Sequence, residues 1–246
     1  LAEAKQSWWQ ILPVGPTGCG DSPYQSFSTF AGNPYFIDFE LLCRQGLLRK
    51  AELDAIDWGC DPSKVDYGKI YGSRLGILEK AAVRGLAVNR AEFDGFVRGN
   101  AAWLPDYALF MAVKRHFGMS AWYDWPDDGI RLRKADALRK YEELLKDDIE
   151  FFEYIQFLFF GQWAVLRSYA REKGVGIIGD LPIYVAMDSA DVWAGPNCFM
   201  LDENNTPIEV AGVPPDYFSE SGQLWGNPLY DYAVMKKDGY GWWIRR

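Results

Sequence analysis

Five loop carboxylates, Asp180, Asp188, Asp191, Asp216 and Glu220, are the side chains of this chain best placed for acid–base or nucleophilic work. Asp180 stands where the apolar run Val175–Ile178 gives way to a loop, a position from which a carboxylate can face a ligand. A retaining reaction at a glycosidic bond needs two carboxyl groups roughly 5–5.5 Å apart, one as nucleophile and one as acid/base. Spacing alone selects Asp180 and Asp216 for that pair, against the plainer reading that each caps a turn. Tyr217, Phe218 and Trp225 lie beside Pro214–Pro215 and Gly222, and an aromatic loop of this kind can close over a ligand and exclude water. The plainer reading there is an apolar anchor. His116, the one histidine, falls on a helix and reads as a surface residue, which leaves a His-based metal site or a Ser-His-Asp triad without its parts. Gly15, Gly18 and Gly20 crowd one loop, but no Lys follows at phosphate-loop spacing.

The elements that must position these residues can be read from periodicity. Trp9–Val14 predicts a short buried strand ended by Pro13 and Gly15, followed by an irregular loop over Gly15–Asn33. Phe36–Gly46 predicts a helix, residues 49–100 several short helices, and Trp103–Phe117 a helix stopped by Gly118. From Leu138 to Ala170 apolar residues recur every three or four positions as one helical stripe, interrupted by Gly161, which costs about 1 kcal/mol relative to Ala and allows a kink or a break into two helices. Val175–Val185 predicts a buried parallel strand. Phe199–Leu201 and Ile208–Val210 flank the polar turn Asp202–Thr206 as a hairpin, and a long loop over Gly212–Pro228 leads to a helix from Leu229. Three polar, aromatic loops (15–33, 180–193 and 212–227) thus follow or neighbour strands. In an α/β barrel such loops at the strand ends build the site.

Composition narrows the ligand. The chain has 246 residues, 49% hydrophobic and 16% aromatic, with 11 Trp and a net charge of −8. That is enough for a large core, and the negative charge argues against nucleic acid. No apolar run of membrane-spanning length occurs. Cys19, Cys43, Cys60 and Cys198 are scattered without a CxxC pair, as expected of reduced cytosolic thiols. Both termini read as the interiors of elements, without signal pattern or cap.

Three stretches resemble the 4-α-glucanotransferase (amylomaltase) family: LPVGPTGCGDSPYQSFSTFAGNPYFID at Leu12–Asp38, IIGDLPIYVAMDSADVWAGP at Ile177–Pro196, and VAGVPPDYFSESGQLWGNPLYDY at Val210–Tyr232. WLPDYALFMAVKRHFG at Trp103–Gly118 is similar to that family's helical insertion. The resemblance implies an α/β fold, a partial (β/α)8 TIM barrel with large helical insertions. Its expected parts are an early barrel strand and substrate loop in 1–40, a mainly helical insertion in 41–172, and the third barrel strand with the active-site loop and following helix in 173–246. It implies transfer of α-1,4-glucan segments to acceptor glucans or glucose by retaining double displacement in the cytoplasm, with no cofactor, metal, nucleic acid or membrane.

Matched position by position, Ser22 and Tyr24 are expected to contact glucan on the donor side, with Asp180 at the end of the third strand. Asp216, Tyr217 and Phe218 belong to a loop over the active centre, and Gln223, Trp225 and Asn227 to its acceptor side. The family's nucleophile, acid/base and third essential Asp are expected C-terminal to Arg246, so Asp180 and Asp216 shape the site instead of forming the covalent bond. Cys19 stands where much of the family has Tyr. The competing readings are an α-amylase-like glucan hydrolase and a non-catalytic glucan-binding remnant.

Overall fold

The computed structural model describes residues 1–59, 61 and 63–246, with the backbone alone at Cys19; Cys60, one of the four expected thiols, lies outside the described residues. Strand β1 (Trp8–Gln10) pairs in parallel with β2 (Gly176–Ile178), Trp9 opposite Ile177. Parallel neighbours need a crossover, and here the whole helical excursion between them supplies it. It begins with α1 (Phe39–Arg44) and α2 (Lys50–Asp54), and continues through α3 (Tyr67–Val88), α4 (Arg90–Gly99) and α5 (Leu104–His116). It ends with α6 (Asp128–Arg131), α7 (Ala135–Leu144) and α8 (Lys146–Glu172).

Beyond β2 come α9 (Ala190–Ala194), an antiparallel pair β3 (Val210–Val213) and β4 (Gln223–Pro228), then α10 (Tyr232–Lys237) and α11 (Gly241–Arg245). Side-chain caps start several helices. The carboxylates of Asp38, Asp66 and Asp231 and the hydroxyl of Ser189 each accept an otherwise orphaned backbone N–H of α1, α3, α10 and α9. Gly118 and Gly174, both at positive φ, follow the ends of α5 and α8.

The core lies where α5 packs on α8, with α3, α4, α7 and α9 around them. Phe110, Trp122, Tyr154 and Trp193 are fully buried there. One contact fixes a residue type: a Cβ on Gly85 of α3 would lie 1.8 Å from the Tyr154 Oη, so only glycine lets α3 approach α8 this closely.

Several expectations are corrected. The strands Trp9–Val14 and Val175–Val185 shrink to three residues each, and the pairing ends with the bond from Ile11 N to Ile178 O, before Pro13 and Pro182 are reached. Nor are they buried, since Trp8 and Ile178 remain exposed. Residues 49–100 hold one 22-residue helix, α3, and not only short ones. The apolar stripe breaks at Leu145, which has φ −112° and ψ 22°, while α8 runs unbroken through Gly161. The Asp202 carboxylate accepts from Asn204 N and Thr206 N, so the turn there carries a single bridge, Leu201 to Pro207, and no flanking strands. The true hairpin begins at Val210 and runs through most of the stretch expected to be loop, and the helix expected from Leu229 is split into α10 and α11 by Gly239 and Tyr240, both at positive φ.

Candidate functional site

The Gly15–Asn33 segment is less irregular than its composition suggests. Gly18 N donates to Gln25 O and Phe27 N to Pro16 O, with a bridge between Thr17 and Ser26, so a small hairpin projects toward Ser22 and Tyr24. The Ser22 hydroxyl accepts Tyr24 N at 3.3 Å and helps hold that tip. The base of the loop is pinned to α9: Asp191, buried, accepts both Thr29 N and Thr29 Oγ1 at 2.8 Å, and Ala190 N donates to Phe27 O. Burial raises the Asp191 carboxyl above its ordinary value, and the two bonds from Thr29 oppose that.

Asp180 follows the end of β2 by two residues and is exposed. Its Oδ2 accepts the Tyr24 phenol at 2.6 Å. That bond, then burial and the negative charge, raise the Tyr24 phenol above its ordinary value. These two residues line a cleft of about 160 Å³ together with Pro182, Tyr184, Trp163 and Arg246. Arg246 donates to Pro182 O at 2.5 Å and to Tyr230 Oη at 3.3 Å, and Tyr230 donates to Ile183 O at 3.0 Å. The backbone just past Asp180 is therefore held by a guanidinium and a phenol. Burial pushes Tyr230 up to about 12, with Arg246 pulling the other way.

Asp188 and Asp191, candidates for chemistry by type, are taken up by architecture. Asp188 accepts Lys114 Nζ at 2.5 Å and Trp122 N at 3.2 Å. Lys114 is 1% exposed, donates also to Ser120 O, and lies 4.9 Å from the ring centroid of Phe27. One buried ammonium thus joins the first loop, the second loop and α5.

In the third segment Asp216 accepts Phe218 N and Ser219 N at 2.9 Å, while Ser219 Oγ donates to Gly222 O. This self-bonded tip displays Tyr217 and Phe218, 97% and 88% exposed. Gln223 accepts Trp225 Nε1 at 3.0 Å, and the half-exposed Trp225 indole meets Tyr184 edge-on at 6.3 Å. Asn227 is only 5% exposed. Its Nδ2 donates to Val185 O and its Oδ1 accepts from Gln25, so one amide joins all three loops. Sequence reasoning passed over Arg246, Tyr230, Gln25 and Lys114, whose contacts rest on partners tens of positions away; the one local signal was the aromatic density around Tyr230 and Trp242–Trp243. His116 is exposed, its ring edge-on to Phe117 and Tyr141.

A parallel strand pair bridged by helices, with polar and aromatic loops converging past the strand ends, is the arrangement of an α/β protein of barrel type, a class in which such loops carry the site. The chain matches the profile of the family described as 4-alpha-glucanotransferase over residues 1–246. It is 50% identical to the 4-alpha-glucanotransferase of Streptococcus pneumoniae and 49% identical to that of Thermus thermophilus, in each case over 100% of this chain and 49% of the relative. The solved amylomaltase of Streptococcus agalactiae in complex with acarbose superposes with a TM-score of 0.96 at 44% identity, over 99% of this chain and 50% of that one. The chain belongs to the 4-alpha-glucanotransferase family, and its architecture is a partial (β/α)8 barrel with helical insertions. It spans about half the length of the curated relatives it matches. Among the described residues no helix is long and apolar enough to cross a membrane.

Proposed function

We propose that the protein serves as a 4-α-glucanotransferase, moving α-1,4-glucan segments to glucan or glucose acceptors by retaining double displacement. The observation that carries this reading is the near-identical backbone shared, over 99% of the chain, with an amylomaltase that binds acarbose. The cleft geometry supports it. A neutral polyol fits a cleft where Tyr24 and Asp180 offer a phenol and a carboxylate, while Trp225, outside that lining but against its Tyr184, offers a half-exposed indole.

Ser22, Tyr24 and Asp180 bind on the donor side in this reading. Tyr217 and Phe218, on the tip shaped by Asp216, close over the sugar and exclude the water that would turn transfer into hydrolysis. Gln223 and Trp225 form the acceptor side, and Asn227 holds that side from behind. The covalent step needs two opposed carboxyl groups, which the sequence resemblance assigns to residues beyond Arg246. A cytoplasmic setting is in keeping with the free thiols of Cys43 and Cys198. Incubation of the whole gene product with maltotriose, followed by chromatography, tests the proposal. Transfer gives maltotetraose and longer oligomers, whereas products no longer than the substrate would sink it in favour of a hydrolase.

A further inference from the structure

Gln156, in the middle of α8, is a polar side chain with 0% exposure in the most apolar part of the molecule. Its carboxamide makes a two-point pair with one backbone position of the first loop: Oε1 accepts Gly32 N at 2.7 Å and Nε2 donates to Gly32 O at 3.0 Å. Phe159, on the same helix, occupies the space where a Gly32 Cβ would sit, with ring atoms 1.9 Å from that position. The helix therefore holds Gly32 by an amide on one side and a ring on the other. Gly32 is itself buried, so its N–H and C=O have no water to fall back on. Next to it, Asn33 N donates to Val14 O and so ties the return of the loop to its departure from β1. Immediately upstream, Ser28 Oγ accepts Phe30 N and Ala31 N, and Thr29 is held by Asp191. Residues 28–33 are thus a fixed footing from which the hairpin bearing Ser22 and Tyr24 projects.

We propose that Gln156 is a positioning residue for the donor side of the cleft: its amide, docked on Gly32, sets the seat of the Gly15–Asn33 loop and through it the placement of Tyr24 against Asp180. This rests on the reading of that loop as substrate-contacting. An internal comparison lies on the same helix. Gln162 makes the same two-point pair with Asp38, Oε1 to N at 2.7 Å and Nε2 to O at 3.0 Å, but beyond the loop and at an exposed site. The amide pairing is common to both, and only Gln156 seats the loop.

The test compares Gln156→Leu, Gln156→Glu and Gln162→Leu in the whole gene product. Gln156→Leu raises KM for maltotriose and lowers kcat/KM by roughly ten- to hundred-fold, as a displacement of about 1 Å can do. Gln162→Leu leaves KM unchanged. Hydrogen exchange, which needs no activity, shows the amides of residues 17–31 losing protection in Gln156→Leu at a denaturant midpoint corrected for global stability. Gln156→Glu keeps the pairing only while its carboxyl is protonated and able to donate to Gly32 O. Read as a ratio to wild type at the same pH, which cancels the titration of Glu153 on the same helix that both proteins share, its KM and loop protection are therefore near unity in acid and worsen as pH rises. Should Gln156→Leu fail to fold, the Gln156→Glu profile decides. A KM equal to wild type with unchanged protection of residues 17–31 overturns the proposal, as does loss of folded protein at unchanged KM, which is what a purely structural role gives. Absence of transfer in the wild type overturns the functional reading instead, and the exchange data still judge the clamp.

Discussion

The Tyr24 phenol donates a 2.6 Å hydrogen bond to Asp180 Oδ2 across 156 positions of sequence. One residue comes from the tip of a hairpin that departs after β1, and the other from the loop that follows β2. The bond makes the phenol a worse acid than usual, because ionising it would break the donor and set two negative charges together. Asp180→Asn therefore lowers the Tyr24 pKa back toward its ordinary 10.0, read as a difference in tyrosinate absorbance against the same pair of proteins carrying Tyr24→Phe. In the whole gene product the same substitution slows transfer but leaves a covalent glycosyl-enzyme that can be trapped. Loss of trapping in a folded variant would return Asp180 to the role of nucleophile.

The place of Asp180 just past a strand was legible because an apolar run ending in a carboxylate is a local pattern. Its partner was not, since nothing near Tyr24 encodes a contact 156 positions away. The same division runs through the fold. The stripe of α8 is written in its own spacing, but Gly68, Gly72, Gly76 and Gly85 lower the helix propensity of α3, and burial of Ile77, Leu78 and Ala81 overrides them. Pro214, Pro215 and Gly222 disguise the β3–β4 hairpin, because the turn they build precedes a strand, β4, whose first four residues are all exposed and show no alternation. Asp191 and Asp216 read as candidate chemistry by type, while hydrogen bonds to Thr29, Phe218 and Ser219 occupy them.

On the proposed function, Trp225 should separate transfer from hydrolysis. Its indole N–H is taken by Gln223 and its ring meets Tyr184 in a T-shaped contact, while 43% exposure leaves indole surface for an acceptor sugar. Trp225→Ala lowers the yield of longer oligomers from maltotriose more than it lowers release of glucose, because water needs no aromatic platform. Equal loss of both products, or none, would make the indole a structural anchor for β4.

Asp188 and Lys114 allow a test of how the loops are held. The Lys114 side chain is 2% exposed and that of Asp188 25% exposed. Asp188→Ala leaves a buried ammonium with Ser120 O and two aromatic rings as its surroundings, and removal of one partner from such a pair costs about 3–5 kcal/mol. Lys114→Met is milder, since the carboxylate it abandons can reach water. The double variant loses less than the two single losses added, because it leaves no orphaned charge. Urea midpoints of the four proteins measure this directly. Strict additivity would show that the pair is a bystander.

Glu153 gives the fold a pH-dependent weakness remote from the cleft. Burial on α8 is the main cause of its raised carboxyl pKa, the neighbouring Glu150 adds to it, and Arg90 opposes both. Arg90 is already engaged by Glu150 at 2.6 Å and Asp94 at 2.9 Å. The folded-state value is pushed up to about 7 from an ordinary 4.5. A carboxyl that holds its proton more tightly when folded favours the folded state only while it stays protonated. Its contribution is complete below the unfolded value, declines as pH rises from 4.5, and is gone above about 7. Above that point an ionised carboxylate sits half-buried beside another carboxylate. Glu153→Gln keeps the shape and removes the titration. The melting temperature of Glu153→Gln therefore exceeds that of the wild type by an amount that grows between about pH 5 and pH 7 and then levels off. Thermal denaturation of both proteins across that interval checks it, with high salt included to screen Arg90 and Glu150. A melting difference that is constant with pH would mean that Glu153 titrates alike in the folded and unfolded chains, and that α8 tolerates its charge.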